Sequence, residues 1–162
     1  MAKKNPALEI DLVPGLLKKM KKLTSQEVLV GIPGEEGPRE DGDPMNNATL
    51  GYLHENGSPA NNIPPRPFLV TGVTGAMKAI VPELAKAANK SIDGDVRAVH
   101  KGLDRVGMIA QNAVKRKITT GPFIALKEST LLARRRKGYK GTKPLIRTGQ
   151  LRNAITYVLK ES

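Results

Sequence analysis

Few side chains in this sequence stand at spacings that do chemistry. His54-Glu55, close to Tyr52, joins an imidazole to a carboxylate, the minimal parts of a general acid–base pair. No second carboxylate and no metal-ligand spacing accompany them, and the other histidine, His100, is far along the chain. The pair therefore reads as structural. Five acidic residues, Glu35, Glu36, Glu40, Asp41 and Asp43, crowd one Gly/Pro-rich stretch. Oxygen ligands of this kind hold hard cations, but the D-x-D-x-D-G register of a calcium loop is missing, so a surface loop is the plainer reading. Gly138 to Lys143, G-Y-K-G-T-K, has the composition of a phosphate loop and fails G-x-x-x-x-G-K-[ST] in order and spacing. Gly72-Val73-Thr74-Gly75 has the outline of an RNA-clamping G-x-x-G loop, yet no basic residue lies within it. Cysteine is absent, which excludes disulfides and thiolate metal sites and suits a reducing compartment. No catalytic, cofactor-binding or metal-binding residue is assigned, and a non-enzyme is expected.

Charge is the stronger signal. Residues 1–93 balance at 11 basic and 11 acidic side chains, whereas residues 94–162 carry 16 basic and 4 acidic, so the entire net charge of +12 lies in the second part. Arg134, Arg135, Arg136, Lys137, Lys140 and Lys143 form its densest cluster. Such polarity faces something acidic, either nucleic acid or a negatively charged protein ring. The basic cluster and the acidic Glu35, Glu36, Glu40 and Asp41 are the candidate contact surfaces. With three Tyr, two Phe and no Trp, the surface for stacking bases is thin. A basic DNA-binding accessory protein is nonetheless the alternative from another functional class.

The elements that position these residues follow from periodicity. At 162 residues the chain suits one domain with a real core, with loops over 33–45 and 137–143 that lack apolar anchors. No long uncharged apolar run exists, so no membrane span is expected, and the N-terminal M-A-K-K-N-P has no signal-peptide core. Asp11 to Leu23 predicts an amphipathic helix with lysines on its outer face. Gln26–Ile32 predicts a strand with Val28, Val30 and Ile32 on one side. Asn46 or Asn47 caps a short helix closed at Asn56-Gly57, and Asn61–Pro67 is a stiff connector anchored by Ile63 and Phe68. From Phe68 a helix follows with Val70, Val73, Met77, Ile80 and Leu84 in phase, kinked or split at Pro82. Asp95 to Ile118 is the longest helical pattern, with Val96, Val99, Leu103, Val106 and Ala110 as the face laid on the sheet and His100 exposed. Thr119–Leu126 predicts a loop, and Ser129 a cap for another short helix. The fold class expected is α+β: a small antiparallel-rich sheet against a long helix, with shorter helices and long loops.

Lys143 to Leu159, K-P-L-I-R-T-G-Q-L-R-N-A-I-T-Y-V-L, predicts an extended lead-in, a short helical turn opened by Thr148, and a strand with Ile155, Tyr157 and Leu159 on its greasier face. This stretch resembles the P-L-x-x-T-G-Q-L-R-x-[AS]-I-T-Y segment of tailed-bacteriophage virion-morphogenesis proteins, the neck, tail-completion and head–tail joining group. Tyr52-Leu53-His54-Glu55-Asn56-Gly57-Ser58 with Ile63-Pro64-Pro65-Arg66-Pro67-Phe68-Leu69 resembles that group's I-H-E-x-G-S and I-P-x-R-P-F-L segments. Together with Val28–Ile32 the likeness covers roughly a third of the chain. The group commonly carries the T-G-x-L-R segment before the other two, and here it comes last. Such a reordering implies that the chain ends lie close together and that Val28–Ile32 and Ile155–Leu159 are neighbouring strands. The resemblance further implies a structural virion protein assembled in the host cytoplasm. It would form a homo-oligomeric ring, most simply a hexamer, joining head-connector and tail-tube or terminator rings around the DNA channel, with no cofactor and with non-specific contact to DNA.

Overall fold

Two strands from opposite parts of the sequence pair with each other. The computed structural model describes residues 14, 15, 17, 18, 25–34 and 45–161. Strand β1 (Gln26–Gly31) runs antiparallel to β2 (Thr156–Glu161), with Val28 opposite Leu159 and Val30 opposite Tyr157. The expected alternation holds. Val28, Val30, Tyr157 and Leu159 turn inward, while Glu27, Leu29, Val158 and Lys160 are exposed. Between the strands come α1 (Asn47–Asn56), α2 (Leu69–Gly75), α3 (Met77–Asp93), α4 (Val96–Thr120), α5 (Glu128–Arg136) and α6 (Gln150–Asn153). The fold is thus α+β, with the long α4 packed against the sheet.

Helix α4 starts where the Asp95 carboxylate accepts from the Ala98 N–H at 2.9 Å, a cap that satisfies one of the first-turn donors. Its buried stripe is Val99, Leu103, Val106, Ala110, Val114 and Ile118. Val96 was expected on the same face and is 51% exposed. A residue in the first turn can keep the period of the stripe with no layer of the core above it. The helix reaches Thr120, so the following loop is shorter than the expected Thr119–Leu126. His100 is exposed as expected, with Nδ1 3.2 Å from the Asp104 carboxylate.

Close approach explains the small residues along α4. A Cβ on Gly102 would lie 2.9 Å from the Ala87 Cβ of α3, and one on Gly107 would enter the Tyr157 ring of β2. A Cβ on Gly72 of α2 would lie 2.8 Å from the Val114 Cα. Glycine inside a helix costs about 1 kcal/mol relative to alanine, and here that cost is offset by backbone-to-ring and helix-to-helix contact. Glu83 of α3 also reaches across to Arg105 at 3.6 Å.

Several expectations are corrected. The helix after Phe68 breaks at Ala76 (φ −97°, ψ 0°) rather than at Pro82, which lies inside α3. Gly72 and Gly75 weaken the first piece, whereas Pro82 forfeits one backbone bond and leaves the rest of α3 in place. Val70, Met77 and Leu84 are exposed at 64%, 42% and 38%; the buried positions of α3 are Ile80, Ala87 and Ser91. Interrupting the helix resets its phase, so one stripe cannot run through both pieces. Helix α5 is capped at Lys127 without a side-chain bond, and Ser129 falls inside it. The turn α6 begins after Gly149 (φ +86°), with the Thr148 hydroxyl 3.5 Å from the Gln150 N–H. The expected first helix and the acidic Glu35, Glu36, Glu40 and Asp41 lie outside the described residues, except that Pro14, Gly15, Leu17 and Lys18 are helical. Leu103→Ala should lower stability by about 2–5 kcal/mol as a large-to-small core change. Val96→Ala should shift it by less than about 0.5 kcal/mol. Denaturant titration of the two variants checks the assignment.

Candidate functional site

The segment from Asn46 to Leu69 is built around one carboxylate. Asn46 caps α1 by accepting from the Thr49 N–H at 2.8 Å. The helix ends at Gly57 (φ +76°), where a Cβ would meet the Pro65 nitrogen at 2.8 Å. Ser58 then bridges Ile63, and the Arg66 N–H donates to the His54 carbonyl at 2.7 Å. This folds the chain back so that the Glu55 carboxylate accepts from the N–H groups of Phe68, Leu69 and Val70 at 2.7, 2.8 and 3.0 Å. Phe68, the cap residue of α2, has no side-chain acceptor of its own. Glu55 supplies it from thirteen residues upstream, as an anion at the positive end of a helix. Glu55 therefore has an architectural role, and His54 contributes its backbone carbonyl to the same fold-back.

Two arginines do the complementary work for carbonyls. Arg66 is 5% exposed, and its Nε and Nη2 donate to the carbonyls of Ile124 and Ala125 at 2.9 and 3.4 Å. Arg134 donates from Nη1 to Gly141, Lys143 and Ile146 and from Nη2 to Pro144, at 2.8 to 3.2 Å. Desolvation lowers the pKa of both guanidiniums from the ordinary arginine value. For Arg134 the nearby charges of Arg147 and then Arg66 lower it further. Arg147 in turn lies over the Tyr139 ring, 5.5 Å from its centroid, within range of cation–π attraction. The Lys143 ammonium donates to the Thr119 carbonyl at 2.9 Å, completing the tie to the end of α4.

These contacts tie the 137–143 loop down through Arg134 and Lys143 and separate the members of the basic cluster. Arg134 is half-buried and spent on the loop it organises, and Lys143 bonds α4. Arg135, Arg136, Lys137 and Lys140 are left as the exposed rim. Of these, Arg135 lies 3.9 Å from Glu128, with both side chains mostly exposed. The rim borders a cleft of about 260 Å³ lined by His54, Thr130, Arg134, Lys137 and Arg147 over an apolar floor of Leu50, Leu145 and Leu151, with no acidic side chain in its lining. Sequence reasoning assigned no role to Arg66 or Arg147. An isolated arginine between prolines has no periodicity, and only the R-P-F segment itself marked the first of them.

Among the described residues no group of His, Cys, Asp or Glu could hold a metal ion, and no helix is long and apolar enough to cross a membrane. No protein-family model, curated protein or solved structure matches the chain. Arg134→Ala should leave four loop carbonyls without their shared donor and destabilise by about 1.5–3 kcal/mol, the range for hydrogen bonds to a charged group. Arg136→Ala should stay within about 0.5 kcal/mol. Protease cleavage between 137 and 147 should accelerate for the first variant alone.

Proposed function

We propose that this chain is a structural virion protein of a tailed bacteriophage. It forms a ring at the head–tail junction or the top of the tail and joins the two around the DNA channel. One observation carries the reading. The two segments that resemble the neck and tail-completion group, far apart in sequence, share one core cluster: Phe68 packs with Leu145, Leu151 and Ile155, beside Val114 and Ile118. Both segments then contribute side chains to a single packed unit. The paired strands at 26–31 and 156–161 further suit the reordered chain, since termini must meet if a fold is to be rejoined elsewhere.

The work of such a ring is mechanical. Its subunits meet head to tail without two-fold axes, six around the axis as the resemblance implies. The exposed rim of Arg135, Arg136, Lys137 and Lys140 is the surface offered to an acidic neighbour ring or to DNA. Like charge of +12 per subunit opposes self-association in isolation and favours assembly against such a partner. The second reading, a basic DNA-binding accessory protein, draws on the same rim. Salt separates them, because binding by counterion release weakens steeply as salt rises, whereas a ring with an apolar contact survives.

The test is a native mass measurement of the protein alone and mixed with head and tail fractions. The expected result is a monomer at low concentration and a closed ring bound to one fraction. Charge reversal at Arg135, Arg136 and Lys137 together should abolish that binding while leaving the denaturation midpoint in place, because none of the three carries the loop. A two-fold dimer at every salt concentration, or binding only to DNA at low salt, would remove the ring.

A further inference from the structure

Strands β1 and β2 are hydrogen-bonded only to each other among the described residues. Successive residues of an antiparallel strand direct their N–H and C=O groups to opposite sides. Each six-residue strand therefore has a second edge whose donors and acceptors find no partner within the described sheet. The centre of the outer face is also apolar, where a water-facing sheet is ordinarily polar. Leu29 and Val158, opposite each other, are 44% and 52% exposed. A shallow apolar groove of about 260 Å³ runs over Leu29, Gly31, Pro33, Thr156 and Val158.

We propose that the β1 edge of one copy pairs antiparallel with the β2 edge of another, in the register found within each copy, so that the sheet continues from subunit to subunit. This rests on the ring reading and names the surface through which the ring closes. The register follows from two constraints. A slip of one residue would turn every inward side chain outward, so only even offsets keep the faces. At zero offset Glu27 of one copy stands opposite Lys160 of the next, and Leu29 opposite Val158, repeating the intrachain pairs. An offset of two sets Glu27 against Val158 or Leu29 against Lys160, which loses both matches. Repeating the register is stereochemically open as well, because residues bonded within the copy become the non-bonded pairs between copies.

Two-fold pairing fits less well. A β1–β1 contact centred on Leu29 places Glu27 beside Gly31, and a β2–β2 contact centred on Val158 places Lys160 beside Thr156. Each leaves its charge unmatched. The β1-to-β2 contact is heterologous, so every added copy exposes the same two edges until the ring closes.

The chain has no cysteine, so Leu29→Cys and Val158→Cys can each be introduced as a lone thiol. The two full-length variants, one carrying a mass tag, are mixed at equal and high concentration, alone and with head or tail fractions. They are then treated with a short bis-maleimide cross-linker. The heterodimer should exceed either homodimer roughly tenfold, the bias that about 1.4 kcal/mol of pairing preference gives. Glu27→Cys with Lys160→Cys, at positions that are also exposed, should repeat the result if either first variant proves unstable. Predominant Leu29→Cys homodimers would overturn the proposal in favour of two-fold β1 pairing. A ring by mass without the heterodimer would overturn it and leave the ring reading standing. Absence of both ring and cross-link would remove both.

Discussion

Both strands and three of the other helices lean on the apolar stripe of α4. A two-stranded sheet is at best marginally stable alone in water, and the other helices are short or amphipathic. Packing of α2, α3, α6 and both strands against α4 supplies the burial that each lacks by itself. The stripe lies in two adjoining clusters. Val106 and Ala110 meet Ile80 and the inner face of β1, while Val114 and Ile118 meet Phe68, Leu145, Leu151 and Ile155. The small residues at 72, 102 and 107 set how near the neighbours come. At interior packing densities a single added methyl group must displace something.

Around this apolar spine, loops are held by charges that bond to backbone. Glu55 gathers three N–H groups, and Arg66 and Arg134 together hold six carbonyls. Irregular backbone carries polar groups that cannot be buried unpaired. A forked guanidinium can satisfy several carbonyls at once where no strand is available. Burial lowers the pKa of Arg134, and the nearby charges of Arg147 and then Arg66 lower it further. The carbonyl bonds and the Tyr139 ring oppose the repulsion among them. Bonds to several residues at once also make the loop between α5 and α6 a defined platform beside the basic rim.

Two exposed surfaces differ in kind. One is polar and cationic, at the α5 rim and cleft. The other is the apolar centre of the sheet's outer face, at Leu29 and Val158. They differ in what they offer a partner: long-range attraction that salt screens, and short-range contact that it does not. A protein interface can use both kinds, with steering and discrimination from charge and persistence from apolar contact.

Periodicity and local chemistry determined much from the sequence alone. The alternation at Val28–Val30 and Tyr157–Leu159, the stripe of α4, and a cap at Asn46 or Asn47 are visible because each depends on neighbours within a few residues. The pairing of β1 with β2 was legible from their matching alternation together with the reordered segments of the resemblance. Tertiary structure alone decided the rest. Val96 keeps the helical period but is exposed, and Arg134 looks like its neighbours Arg135 and Arg136 but turns inward. Glu55 caps a helix that begins more than ten residues later. Sequence spacing encodes which residues share a face of one element. It does not encode which face meets another element, nor which charge lies near an unpaired carbonyl, because those depend on how distant parts of the chain pack.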